Sequence, residues 1–343
     1  MSSNNKKTVR KMSRATGEDV ARLAGVSKST VSRIFNGGVV SPVAREKILA
    51  AAKTLHYRPN PTARSLTIKR SFLVGVAITQ LDNQFYPDFV QLLSDKLASQ
   101  GYRIVLFVTH GERGDDPTLE EILNYSLDAI IFASSRSATT TAAACAEAGI
   151  PTIMFNSVDP VENCKCISTD DINGAEQIAA ALYEAGHRFI GVLKGLEESV
   201  ITRRRVSAFA NKICELGGAK VVGENCNFQF ESAKLATRRL LTRFPDTDAI
   251  FALNDHMALA CMEVCRNEFQ LTPGEDISII GFDDVTISGW GTFSLASFAH
   301  PLGQITDEIV NYVLASQRAE QPDTSPVYFK GELRYRSSLK SPS

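Results

Sequence analysis

Thr16 to Asn36 reads TGEDVARLAGVSKSTVSRIFN, and its spacing decides the fold of the N-terminal region. Thr16 can cap a first helix with its hydroxyl, and Asp19 completes a capping-box-like pair at the positive end of the helix dipole. Val20, Leu23 and Ala24 form the inward stripe of that helix. Gly25 stands where the backbone must turn abruptly, and Ser27 is a second N-cap candidate. From Lys28 onward the helical period puts Val31, Ile34 and Phe35 on a core-facing side and Lys28, Ser29, Ser32, Arg33 and Asn36 on the opposite face. Gly37-Gly38 stops this second helix. Ser41-Pro42 opens a third through Leu55, whose Ala44, Ile48, Ala51, Ala52 and Leu55 close a small three-helix core. Two short helices about a sharp turn, the second with a free polar face, form the arrangement by which a helix-turn-helix reads a DNA major groove.

Charge supports this independently. Residues 1–70 hold 15 Lys/Arg against 3 Asp/Glu, a balance of +12, so the rest of the chain carries −13 of the total of −1. A cationic head suits a polyanion, since phosphate neutralisation supplies most non-specific DNA affinity. A solvated basic tail would account for Met1 to Arg14, which is polar and poor in apolar residues, but not for the ordered apolar pattern after Thr16. The next run, HYRPNPTARSL from His56 to Leu66, brackets an extended step with two prolines. Asn60 can cap and Pro61 suits a first helical position, so one or two helical turns follow. Leu66 then offers an apolar wedge of the kind that enters a minor groove and unstacks a base step.

These segments resemble the LacI/GalR family of bacterial transcription regulators, through D-V-A-x-x-A-G-V-S-x-x-T-V-S-R at Asp19 to Arg33 and Y-x-P-N-x-x-A-x-x-L at Tyr57 to Leu66. The resemblance extends from Thr16 to about Leu339. It implies base reading by Lys28, Ser29 and Arg33, backbone contacts from Thr30, Ser32 and Asn36, and a hinge helix that presents Ala63 and Leu66 to the minor groove. Gly17 departs from the family, which usually has a larger apolar residue there, and this implies a less firmly seated first helix. The leader before Thr16 is longer than the family commonly has.

The body has a different texture. Phe72–Thr79, Arg103–Val108, Ala129–Ala133, Thr152–Phe155, Phe189–Leu193, Lys220–Gly223, Ala249–Leu253 and Ile277–Gly281 read as short strands with helices between them. That βαβ rhythm implies parallel sheets covered on both faces, and the length exceeds what one such sheet normally organises, so two lobes are expected. The resemblance implies a type I periplasmic-binding-protein architecture, with crossings between lobes near Ser168–Asp170, Ala299–Pro301 and Ser325–Tyr328. The expected organisation is a disordered basic leader over 1–15, a helix-turn-helix domain over 16–58, a hinge helix and linker over 59–70, and an effector-binding and dimerisation domain over 71–339. Its first lobe takes about 71–168 plus 300–324, its second 169–299 plus 325–339.

Ligand chemistry in open α/β sheets lies outside the carboxyl ends of the strands. Phe85, Tyr86, Arg205, Phe228, Phe230, Asn254, Asp255, Asp283, Asp284 and Trp290 fall near such ends, and the resemblance implies that Phe85, Arg205, Phe228, Asn254, Asp255, Asp283 and Trp290 line an effector cleft. They combine aromatic faces with planar hydrogen-bonding groups, as sugar recognition requires. Each has a plainer reading: Phe85 and Phe228 as core aromatics, Asp255 as a helix cap, Arg205 as one of three surface arginines with Arg203 and Arg204, Trp290 as a core plug. Three adjacent arginines point in different directions on a helix, so only one can face a cleft.

No phosphate loop, G-x-G-x-x-G fingerprint, G-x-S-x-G elbow or H-E-x-x-H occurs in the chain, and neighbouring acids such as Asp170-Asp171 and Asp283-Asp284 diverge rather than share a proton. The chain therefore reads as no enzyme, with no cofactor and no metal. Seven cysteines, at 145, 164, 166, 214, 226, 261 and 265, lack zinc-ligand spacing and read as reduced packing residues, Cys164-Lys165-Cys166 being the pair that stands out. No apolar stretch approaches a membrane span and no hydrophobic run follows the basic N-terminus, which predicts a cytoplasmic protein and sets aside a periplasmic solute receptor. The expected partners are double-stranded DNA with a pseudo-palindromic operator, a small effector such as a sugar or sugar derivative, and a second copy of the chain in a homodimer or higher oligomer, with no membrane. The expected function is a repressor of carbohydrate-utilisation genes. The alternative is an activator or corepressor-dependent regulator with a non-sugar effector such as a nucleobase.

Overall fold

The structure, a computed structural model, describes residues 15–35, 38–58, 70–78, 81–108, 119–133, 139–156, 161–318 and 322–340. Asn36, Ala63, Leu66, the leader through Arg14 and nearly all of the expected hinge helix lie outside the described residues. The chain divides into two compact units, residues 1–71 and 72–343.

In the first unit α1 (Gly17–Ala24), α2 (Lys28–Phe35) and α3 (Pro42–Thr54) form the helical head. The capping box is complete: the Asp19 amide donates to Thr16 Oγ1 at 3.3 Å, and the Thr16 amide donates to Asp19 Oδ2 at 3.0 Å. Those bonds to Thr16 hold the Asp19 carboxyl below its usual range. Gly25 has φ 68°, a left-handed conformation that a side chain would strain, and its amide donates to the Ala21 carbonyl. Ser41 caps α3 through the Ala44 amide at 3.3 Å, with Pro42 in the first turn. Val20, Ala21, Ala24, Val31, Ile48, Ala51 and Ala52 are buried together, with Ile34, Phe35, Leu55 and Tyr57 packed against them. Leu23, expected on the inward stripe, is 54 % exposed. In so short a helix the stripe needs only Val20, Ala21 and Ala24, and Leu23 lies past its edge. The place beside Gly17 is taken by Tyr57, whose Oη would stand 3.3 Å from a Cβ there.

The second unit carries two six-stranded sheets, ordered β11-β5-β4-β3-β1-β2 and β12-β10-β9-β8-β6-β7. Their strands are β1 (Leu73–Ile78), β2 (Arg103–Val108), β3 (Ala129–Ala133), β4 (Thr152–Phe155), β5 (Cys164–Thr169), β6 (Phe189–Lys194), β7 (Lys220–Asn225), β8 (Ala249–Ala252), β9 (Ser278–Asp283), β10 (Ala296–Ala299), β11 (Val327–Phe329) and β12 (Glu332–Arg334). Pairing is parallel throughout except between β10 and β12. Along β1, Val74, Val76 and Ile78 enter one core cluster and Leu73 and Ala77 the other, the period-2 pattern of a strand covered on both faces. Each fully buried Val or Ile there contributes about 1.5–3 kcal/mol. In the first lobe α4 (Phe85–Ser99) and α11 (Leu302–Ser316) cover one face of the sheet, and α5 (Leu119–Leu123) and α6 (Thr139–Glu147) the other. In the second, α7 (Asp171–Glu184), α8 (Val200–Glu215), α9 (Phe230–Arg243) and α10 (Asp255–Glu268) supply the core cluster with its sheet.

Between β5 and α7, between β10 and α11, and between β11 and β12 the chain passes from one lobe to the other. The third passage differs from expectation. Val327, Tyr328 and Phe329 pair in register with Ile167, Ser168 and Thr169 of the first sheet, so the crossing falls at 330–331 rather than at Ser325–Tyr328. Strands β5, β10, β11 and β12 were not among those read from the sequence. The Cys164-Lys165-Cys166 run lies in β5: both thiols are buried in one cluster with Cys145, and the buried Lys165 ammonium meets Glu308 at 3.4 Å and Asp323 at 3.7 Å. Six cysteines are buried and Cys214 is exposed, contrary to its expected packing role, because it falls on the outer face of α8. Burial pushes Cys145 to about 11 and Cys164 and Cys226 to about 12, which keeps those thiols protonated. Among the described residues no helix is long and apolar enough to cross a membrane.

Candidate functional site

Two places concentrate chemistry. On the head, α2 buries Val31 and leaves Lys28, Ser29, Ser32 and Arg33 exposed, with Thr30 half-buried. Ser27 begins this helix: its hydroxyl accepts from the Thr30 amide at 3.2 Å and lies 2.8 Å from Ser29 Oγ and 2.7 Å from Thr30 Oγ1. Its N-terminal turn thus offers a cluster of hydroxyls beside a cation. Phosphate contacts and base edges both use such groups.

In the body, β1 is flanked by β2 and β3, and β6 by β7 and β8, so each sheet reverses its strand order at one point. Loops diverge there and leave a crevice at the carboxyl ends. Asn83, Phe85, Tyr86 and Asn156 from the first lobe and Ile201, Arg205, Phe228, Asn254 and Asp283 from the second line a narrow cleft of about 40 Å³. Three of the lining residues have left-handed backbone: Asn156 at φ 56°, Phe228 at 60° and Asp283 at 131°. Such conformations persist only where the surroundings impose them, and they gather at ligand sites.

Arg205 is 2 % exposed. Its Nε and Nη2 donate to Asp171 Oδ1 at 2.8 and 2.7 Å, Nη1 donates to the Leu253 carbonyl at 2.6 Å, and the guanidinium lies 3.5 Å from the Phe282 ring centre. Arg203 is exposed and Arg204 half-buried. Asn156, which lines the cleft, has its Oδ1 buried without a hydrogen-bond partner among the described residues. Asp283 Oδ1 meets His300 Nε2 at 3.1 Å, and His300 Nδ1 meets Thr169 Oγ1 at 2.6 Å. Burial pushes Asp283 up to about 8, with Arg205 opposing, and it pushes His300 down to about 3, with Arg205 assisting. Both groups are therefore mainly uncharged at neutral pH. Among the described residues no three His, Cys, Asp or Glu side chains gather as a metal ion would need.

Two expected members of the cleft stand elsewhere. Asp255 is fully buried behind the wall, where its carboxyl accepts from Ser297 Oγ at 2.5 Å, Ser288 Oγ at 2.7 Å and the Val285 amide at 2.9 Å. It thereby shapes the turn after Asp283, while the cap of α10 is Asn254, through the Met257 amide at 2.9 Å. Burial, followed by the nearby Asp283, pushes the Asp255 carboxyl up to about 7. Trp290 is 58 % exposed and ends a 3₁₀ turn outside the lining set. The glycines on either side of it give the ring no wall to pack on.

Sequence reasoning placed Tyr86 near a strand end, and it lines the cleft, but did not bring in Asn83, Asn156 or Ile201. Asn156 carried a usable signal, a polar residue directly after an apolar strand. Asp170 and Asp171 diverge, Asp170 capping α7 through the Asn173 amide at 3.1 Å while Asp171 turns to Arg205.

A family profile described as bacterial regulatory proteins, lacI family, matches residues 16–60, and one described as a periplasmic binding protein-like domain matches residues 179–339. The transcriptional regulator CelR of Thermobifida fusca is 28 % identical over 335 residues, 95 % of this chain and 98 % of that protein. A solved complex of the regulator CelR with cellobiose superposes with TM-score 0.69 at 27 % identity, covering 95 % of this chain and all of the other. A Lac repressor dimer bound to operator and an anti-inducer superposes with TM-score 0.82 at 25 % identity, covering 96 % and 100 %.

Proposed function

This chain belongs to the lacI family of bacterial regulatory proteins, and from that premise we propose that it represses transcription by binding a specific operator through α2, under control of a small hydroxylated effector held between the lobes. The carrying observation is α2 itself, with Lys28, Ser29, Ser32 and Arg33 exposed over a buried Val31. In the cleft, Arg205, Asn156, Asn254 and Asp283 supply planar donors and acceptors, while Phe85 and Phe228 supply apolar faces. A sugar needs both. Two copies place their recognition helices in successive major grooves of a pseudo-palindromic site, and the segment through Ala63 and Leu66 enters the minor groove between them. The duplex lies in the cytoplasm, and the protein with it. Effector and DNA affinities are then reciprocally linked, whether the effector acts as inducer or corepressor.

Selection of duplexes from a random library by the full chain tests the DNA half. An enriched half-site is expected, and Arg33→Ala should relax base preference within it; an unchanged sequence logo removes Arg33 from the base-reading set. Melting the protein against a carbon-source library tests the other half, since a ligand of the native cleft raises the melting temperature by mass action.

A further inference from the structure

We propose that His300 is a positioning residue for the effector, whose ring holds the cleft-facing carboxyl of Asp283 and transmits that carboxyl's proton occupancy to the strands on which the lobes turn. The inference rests on the cleft being the effector site. Its basis is where the three partners stand. Asp283 ends β9 and lines the cleft. His300 sits on the second crossing, between β10 and α11, with its side chain wholly buried. Thr169 ends β5 at the first crossing and is the register partner of Phe329, the last residue of β11 before the third. The Phe329 carbonyl also accepts from the Asp170 amide at 2.8 Å. One imidazole thus joins the cleft wall to the first crossing directly, and to the third through a strand pairing.

The charged groups around this chain of bonds come from several elements. Arg205 of α8 and Asp171 of α7 face both Asp283 and His300, and Asp255 of α10 faces the Asp283 carboxyl with its amide and with its own carboxyl, which burial and Asp283 push up to about 7. Asp284 faces His300 and is itself paired with Arg336 at 2.6 Å. Burial and Arg205 keep the ring neutral, so it carries one proton and has one donor and one acceptor. Two arrangements satisfy it. With Asp283 protonated, the acid donates from Oδ1 to Nε2, and Nδ1–H donates to Thr169 Oγ1. With Asp283 ionised, Nε2–H donates to Oδ1, and the Thr169 hydroxyl donates to Nδ1. Passing from the first to the second, one proton leaves Asp283 for solvent, the ring proton moves from Nδ1 to Nε2, and the Thr169 hydroxyl turns from acceptor to donor. A ligand hydroxyl donating to Asp283 favours the carboxylate, because a charged acceptor binds it more strongly. Effector binding near neutral pH therefore releases a proton and reverses a hydrogen bond at the hinge.

The test is nitrogen NMR of the full chain carrying ¹⁵N-histidine, from pH 6 to 9.5, free and with cellobiose or D-ribose. His300 is expected as the Nδ1–H tautomer at pH 6, passing to Nε2–H with a midpoint near 8, and Asp283→Asn should hold one tautomer throughout. A sugar that binds should lower the midpoint by about one unit, equivalent to affinity about tenfold tighter at pH 9 than at pH 6. His300→Gln, whose amide can turn to serve either arrangement, should retain that pH profile, and His300→Phe should lose it. One tautomer across the range, or an imidazolium above pH 6, overturns the relay. A tautomer change that a bound sugar fails to move overturns the link to the effector. Absence of melting shifts across the whole carbon-source library instead defeats the cleft reading on which the link rests.

Discussion

Asp171 supplies the counter-charge for Arg205, and the two lie 34 positions apart in the chain. Both are buried, so removing one strands the other in a low-dielectric setting. Asp171→Ala should lower the unfolding free energy by about 3–5 kcal/mol, whereas Asp171→Ala with Arg205→Met should recover much of that loss. Urea unfolding followed by circular dichroism checks both, and additive losses would show that the pair is not coupled. Consecutive helical residues diverge by about 100°, so at most one of three arginines could face the cleft, and the family resemblance pointed to Arg205. Nothing local singled out Asp171. Its neighbour Asp170 has the same chemistry, and only the approach of α7 to α8 tells the two apart. His300 was equally silent, since a lone histidine shows its partners only once three crossings are brought together.

At the scale of the element, local rules carried the head. Thr16, Asp19, Gly25 and Ser27 each act within four residues of themselves, so their roles follow from chain geometry. Thr16→Ala removes a cap worth about 1 kcal/mol, and Gly25→Ala places a side chain in the left-handed region at a cost of about 1–2 kcal/mol. No atom stands within 4 Å of a Cβ at Gly25, so strain alone is responsible there. Hydrogen exchange of the α1 and α2 amides should accelerate roughly five- to thirtyfold in these variants, and unchanged protection would remove the capping and turn roles. The strands missed in the body lack such local marks. β5 reads Cys-Lys-Cys-Ile-Ser-Thr, and β10, β11 and β12 have only three or four residues each. What makes them strands is the neighbour that satisfies their backbone groups. β9 has a related dependence, since a Cβ at Gly281 would lie 2.0 Å from Asp255 Oδ1, and only the packed structure shows why that position is bare.

For the whole molecule, DNA binding divides into a phosphate part and a deformation part, and the proposed function assigns Leu66 to the second. Leu66→Ala should weaken binding to the selected operator at least tenfold while leaving affinity for random duplex within about twofold, because the kinked step is lost and phosphate contacts remain. Titrations of both duplexes at one salt concentration check this, and equal losses would remove the lever. The sequence by itself determined the helical head, its outward polar face and the alternation that makes two covered parallel sheets, whereas Arg205 and Asp283 were cleft candidates through the family resemblance. The head, its face and the alternation rest on periodicity or on contacts within a turn, which one chain segment specifies alone. Tertiary structure alone decided that Asp255 stands behind the cleft wall and Trp290 outside it, that Asn156 buries an unpartnered oxygen at the cleft, and that Thr169, His300 and Asp283 form one line of hydrogen bonds. Those facts depend on residues far apart in the chain meeting where strands end, and no local pattern records such a meeting.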